Sequence, residues 1–84
     1  MDETQLRERI RRLHETGEVP CDNPPDKVWA GRGTGDLCVL CIEPIASTET
    51  EFEVELSPTK TIFRLHRQCY YRWLEECGAI VAQG

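Results

Sequence analysis

Eighty-four residues, 39% of them hydrophobic and 30% charged, are enough for one small domain and no more, and a core of that size needs an added staple. The formal net charge of -5 disfavours generic nucleic-acid binding, since an acidic surface repels phosphate. Met1 leads into acidic residues rather than a basic and then apolar run, and no segment approaches a membrane span, so a cytoplasmic protein with no membrane contact is expected.

Residues 1–17 read as an N-terminal amphipathic helix. Leu6, Ile10 and Leu13 fall at i, i+4 and i+7, and Gly17 is a plausible stop. Arg7, Arg9, Arg11 and Arg12 are interleaved with Asp2, Glu3, Glu8 and Glu15, which describes a solvated face rather than a basic patch. His14 is expected as a partly exposed surface histidine. The apolar stripe is narrow, so the helix should dock, either on the rest of this chain or on another.

Residues 18–36 hold Pro20, Pro24, Pro25, Gly31, Gly33 and Gly35, which predicts an irregular Pro/Gly-rich connector rather than helix or strand. Trp29 within it is expected to pin the loop to the core, with an exposed interaction residue as the alternative. The run from Gly31 to Gly35 lacks the lysine, the preceding strand and the following helix of a phosphate loop, and reads as a flexible approach to the cysteine pair at Cys38 and Cys41.

The segment 37–78 contains the densest information. Cys38 and Cys41 stand three apart; after 24 intervening residues His66 and Cys69 repeat that spacing. Between the pairs, Glu51 to Leu56 alternates strictly, with Phe52, Val54 and Leu56 on one face and glutamates on the other. Ser57 to Lys60 supplies a turn, and Thr61 to Leu65 returns as the antiparallel partner. His66 to Cys77 reads as a helix closed by Gly78, with Cys69, Trp73 and Cys77 on one face. Residues 79–84 are expected to be a frayed tail.

Two short pairs of sulfur and nitrogen ligands can close a tetrahedral cage around one structural zinc ion, and zinc binding then supplies folding free energy. A knuckle turns Cys38 and Cys41 toward one point, and a helix N-terminus favours thiolate near His66 and Cys69. The expected fold class is therefore α+β: zinc knuckle, β-hairpin and C-terminal helix in a treble-clef-like module, preceded by the N-terminal helix. Redox chemistry at Cys38 and Cys41 would leave the second pair unexplained. A catalytic zinc needs an open coordination position, whereas four protein ligands fill the tetrahedron, so no enzymatic activity is expected. Five cysteines without a signal segment suggest a reducing compartment and metal ligation rather than a disulfide framework. Cys77 is expected in the core and Cys21 is unassigned.

The sequence Cys38-Val-Leu-Cys41-Ile-Glu43, followed by His66-Arg-Gln-Cys69 and Trp73-Leu74, resembles the first metal site of a RING finger. That resemblance implies a groove near Leu40 and Trp73 for a protein partner. The second RING site is missing its ligands: Thr61 and Phe63 stand before His66, and no cysteine pair follows, which argues against ubiquitin-ligase activity. The longer pattern from Val19 through Trp29 to Trp73 also resembles small uncharacterised bacterial zinc-binding proteins, a resemblance that implies no activity.

Two functions fit these readings. The first is a noncatalytic adaptor presenting Trp73, Tyr70, Tyr71 and Trp29 to a protein partner. The second is a nucleic-acid-binding or transcription-associated zinc finger using Arg64, Arg67 and Arg72 beside the tyrosines, disfavoured by the overall acidity.

Overall fold

The computed structural model describes residues 2–21, 25, 27–56 and 60–83. Among these, helix α1 (Glu3–Thr16) is followed by strands β1 (Lys27–Arg32), β2 (Thr50–Leu56) and β3 (Thr61–His66), and by helix α2 (Arg67–Gln83). The strands form one antiparallel sheet in the order β1-β2-β3, an α+β arrangement.

Helix α1 begins where Asp2 caps it: the Asp2 carboxylate accepts from the Gln5 N–H at 2.8 Å, and the Asp2 N–H donates to the Gln5 side chain at 3.1 Å. It ends at Gly17, whose φ of 79° is a left-handed conformation that glycine adopts without a Cβ penalty. Ile10 and Leu13 are buried, and the helix packs on α2 of the same chain. Arg72 to Glu3 at 3.0 Å and an ion pair between Arg11 and the buried Glu76 fix the contact.

The segment expected to be irregular contains β1. Val28 and Trp29 suit a pleated strand, and the alternating β2 offers a ladder that outweighs the glycine in it; Val28 lies opposite Val54 and Ala30 opposite Phe52. Trp29 does not pin this region to the core: it is 46% exposed. Nor is the glycine run simply a flexible approach. A Cβ on Gly33 would collide with the carbonyl oxygens of Ala46 and Ile45, so the two backbones approach too closely here for any side chain.

Strands β2 and β3 pair with Phe52 opposite Leu65 and Val54 opposite Phe63. The turn expected at Ser57 to Lys60 lies largely outside the described residues. One face of this pair, with Val54, Leu56 and Leu65 buried, receives α2 through Cys69, Trp73 and Cys77. The opposite face is not uniformly solvated as alternation suggested. Glu51 is buried because the loop after β1 folds over it, and the Thr34 hydroxyl donates to its carboxylate at 2.9 Å while Arg64 lies 3.6 Å away.

Helix α2 does not stop at Gly78. It continues to Gln83, so residues 79–83 are helical rather than a frayed tail. Glycine inside a helix costs about 1 kcal/mol relative to alanine, too little to end a helix that continues into Ala79 and Ala82.

Candidate metal centre

Three separate elements deliver the four ligands. The knuckle is built by backbone bonds: the Cys38 N–H donates to Glu43 O at 2.9 Å and the Ile42 N–H to Cys38 O at 3.0 Å, while Leu37 bridges to Pro44. The Val39 N–H then donates to Arg64 O at 2.9 Å, which seats the knuckle against β3. From α1, the Arg9 guanidinium donates to the carbonyls of Val39 and Leu40, although the charge pattern of the helix suggested a solvated face. His66 is the last residue of β3 rather than part of the helix, and Cys69 occupies the first turn of α2. The strand-to-helix junction falls between them, and this junction turns both toward the knuckle.

Cys38 Sγ, Cys41 Sγ, His66 and Cys69 Sγ offer ligand atoms that all lie within 4.8 Å of one another, so the cluster can hold one metal ion. Metal–thiolate bonds of about 2.3 Å put tetrahedral sulfurs roughly 3.8 Å apart, which this spacing accommodates. Cys41 Sγ is 3.3 Å from His66 Nδ1, whereas His66 Nε2 is 3.1 Å from Pro44 O and 3.6 Å from a Glu49 carboxylate oxygen. A proton on Nε2 can therefore donate to Pro44, leaving the Nδ1 lone pair for a metal and fixing the ring's orientation.

The electrostatics of the metal-free cluster express the same convergence. The Cys69 thiol hydrogen-bonds to Cys38 and, against the cost of burial, holds the Cys38 thiol down at about 4. Cys69 itself is pushed far up by that bond and by burial, and Cys41 is raised chiefly by burial. At His66 burial opposes the charged ring, but the Cys38 thiolate, Pro44 O and Glu49 together outweigh it and raise the pKa. One thiol held far below the other two is what three thiols packed around a single point share, because two thiolates so close repel.

Of the expected partner-binding residues, Tyr70, Tyr71 and Trp73 come together, with the Tyr70 ring centroid 5.5 Å from Tyr71 and 6.3 Å from Trp73, and Trp29 lies apart from them. Trp73 is 2% exposed and Leu40 is fully buried, so neither presents a groove; both complete the core. Tyr70 is half-buried and stacks on Phe52 with centroids 4.6 Å apart. Tyr71 is exposed beneath the Arg67 guanidinium, 5.9 Å from its ring centroid. Trp29 lies on β1 and lines a different groove from Tyr71. Of the arginines considered for phosphate contacts, Arg64 faces Asp36 at 3.3 Å, Glu51 and Glu53, and Arg72 faces Glu3 and Glu75.

Cys21 and Cys77 are joined by a disulfide, with Cα atoms 5.2 Å apart and a sequence separation of 56 residues. Cys77 lies in the core as expected, but the expectation of metal ligation rather than disulfides does not hold for this pair. The available signal was arithmetic: three cysteines satisfy the metal set and leave an even pair, one of them on the buried stripe of α2. His14 is half-buried, with Nδ1 enclosed. No described helix is long and apolar enough to cross a membrane.

Comparison with protein-family models, with curated proteins and with solved structures finds no match.

Proposed function

We propose that this chain is a noncatalytic protein-interaction module held together by one structural zinc ion at Cys38, Cys41, His66 and Cys69. The observation that carries the reading is the convergence of four ligand atoms from knuckle, strand end and helix start within 4.8 Å. Three thiolates and one imidazole suit zinc in a closed tetrahedral site, and four protein ligands leave no position for substrate. The metal's work in this reading is mechanical: it ties the knuckle to the β3–α2 junction, two regions that are distant along the chain. A treble-clef-like description fits that connectivity.

What the module offers a partner is its exposed aromatic surface, Tyr71 beside half-buried Tyr70 at one site and Trp29 at another. Trp73 belongs to the interior in this reading. The nucleic-acid alternative loses support because Arg64 and Arg72 already face carboxylates, which leaves them poor phosphate ligands.

Native mass spectrometry of the full chain tests the metal, with one zinc per chain expected. Iron in its place, or zinc retained in full after removal of a ligand, overturns the assignment. Affinity capture from the native host, repeated with Tyr71→Ser and Trp29→Ser variants, tests the surface. A specific partner that binds both variants as it binds the parent chain removes these aromatics from the reading.

A further inference from the structure

Among the described residues the sheet has one bare edge. All six residues of β1 are exposed, α2 packs on β2 and β3 without reaching β1, and among the described residues no backbone group of β1 bonds beyond its ladder with β2. In an antiparallel edge strand every second residue turns its N–H and C=O outward, which makes a template for one more strand. Natural sheets protect such edges by shortness, bulges or covering loops. Here a six-residue strand instead displays Val28 at 39% and Trp29 at 46% exposure. On the sheet face that carries Trp29, a groove of about 380 Å³ reaches from β1 across β2 to Ile62 of β3, lined by Trp29, Arg32, Thr34 and Glu53 among others.

The charges at this edge select the occupant. Lys27 opens the strand and Arg32 closes it, and neither makes an ion pair among the described residues, whereas Arg7, Arg11, Arg64 and Arg72 all do. A second copy of this chain pairing antiparallel in register along β1 would set Lys27 against the other copy's Arg32 twice, and like charges directly opposite destabilise a ladder. An extended segment acidic at both ends and apolar between them meets the same edge with two opposite-charge pairs.

We propose that β1 is a docking edge for an extended acidic-ended peptide segment of a partner protein, added as a fourth strand. The proposal rests on the interaction-module reading and specifies its partner. In the antiparallel sense the segment carries an acidic residue opposite Arg32, apolar residues opposite Ala30 and Val28, an aromatic or β-branched residue opposite Trp29, and a second acidic residue opposite Lys27. Backbone bonds supply the attachment, and the alternation of side chains supplies the choice of sequence.

The probe is the acetylated, amidated hexapeptide Glu-Thr-Val-Tyr-Val-Glu, titrated into the 15N-labelled, zinc-loaded full chain and followed by amide chemical shifts. Expected are shifts concentrated in residues 27–32, and binding roughly tenfold weaker for the Lys-ended peptide Lys-Thr-Val-Tyr-Val-Lys, from reversal of two cross-strand charge pairs. The double variant Lys27→Glu, Arg32→Glu should reverse that preference while its zinc content and spectrum outside β1 stay unchanged. Equal binding of the two peptides, shifts mapped to the Tyr71 groove, or silent β1 amides in a folded zinc-loaded chain overturn the proposal. So does a peptide-free dimer that joins through β1. Zinc content is measured before peptide is added, so failure of the zinc-module reading is seen separately from failure of the edge.

Discussion

The two edges of this sheet are built from similar strands and live in different surroundings. β1 and β3 each have six residues, and each pairs with β2. Along β3 the outer edge is closed: Val39 bonds to Arg64, His66 turns into the ligand cluster, and Arg9 reaches from α1 to the knuckle's carbonyls. Along β1 nothing comparable is present among the described residues, and every side chain is exposed. One edge is where the fold concentrates its cross-links, and the other is held by a single ladder. Substitutions at the closed edge should therefore register as stability and metal affinity, and those at the open edge as binding.

The largest expected effect lies at the closed edge. Cys38→Ser or Cys69→Ser should abolish stoichiometric zinc binding and unfold the segment from the knuckle through α2. Structural zinc in small fingers contributes about 10–16 kcal/mol of apparent binding free energy near pH 7, comparable to the whole stability of a domain. Circular dichroism with and without a chelator measures it, and a cooperative, chelator-insensitive unfolding transition in the parent chain would contradict it. The disulfide ranks next. Opening a 56-residue loop by Cys21→Ser should lower unfolding free energy by about 4 kcal/mol on the loop-entropy account. Zinc stoichiometry should not change, because Cys21 is no ligand; a variant that loses its zinc would couple the two staples more tightly than the geometry does.

How much of this was readable from residues divides along the same line. The ligand set, α1 with its glycine stop, and the β2–β3 pairing announce themselves through spacing and alternation, which are local patterns. Four readings failed where non-local contacts decide. Trp29 looked like an anchor because aromatics in loops usually are, but strand pairing turned that loop into an edge. Glu51 looked solvated because β2 alternates, and only the fold-back of residues 33–36 buries it. Arg9 was one of several arginines on a charged helix, and its role depends on where the knuckle docks. The Cys21–Cys77 pairing requires the chain just beyond α1 to meet the middle of α2, a contact no short motif encodes.

Proton competition sharpens the contrast further, because the closed edge titrates. In the metal-free cluster Cys41 and Cys69 are raised above their ordinary 9.0 and His66 above 6.5, while Cys38 is held at about 4. At pH 7 both raised thiols keep their protons, and His66 holds its proton to higher pH than a free imidazole; a metal must expel these protons and finds only Cys38 already ionised. Affinity thus falls as pH falls, by roughly a hundredfold from pH 7 to pH 6 for two displaced thiol protons, and more with His66 included. Competition against a chelator of known pH dependence reads this directly, and a flat profile would refute the thiolate assignment. Arg9→Met should have a smaller effect, about 1–2 kcal/mol, from two charge-assisted bonds lost to the knuckle's carbonyls. Its signature is faster zinc release with the remaining sheet unchanged.

The smallest expected effect on stability belongs to Trp29→Ser at the open edge. A half-exposed tryptophan opposite Glu53 contributes a cross-strand contact and little burial, so the change should stay within about 1 kcal/mol by denaturant unfolding. Zinc affinity should be unchanged, since no element carrying Trp29 supplies a ligand. Binding at the β1 edge should weaken, because the ring is the largest apolar surface an added strand could cover. If Trp29→Ser instead destabilises the chain as much as a core truncation, β1 is held by more than its ladder, and the distinction between a structural edge and a binding edge fails at the residue where it is drawn most sharply.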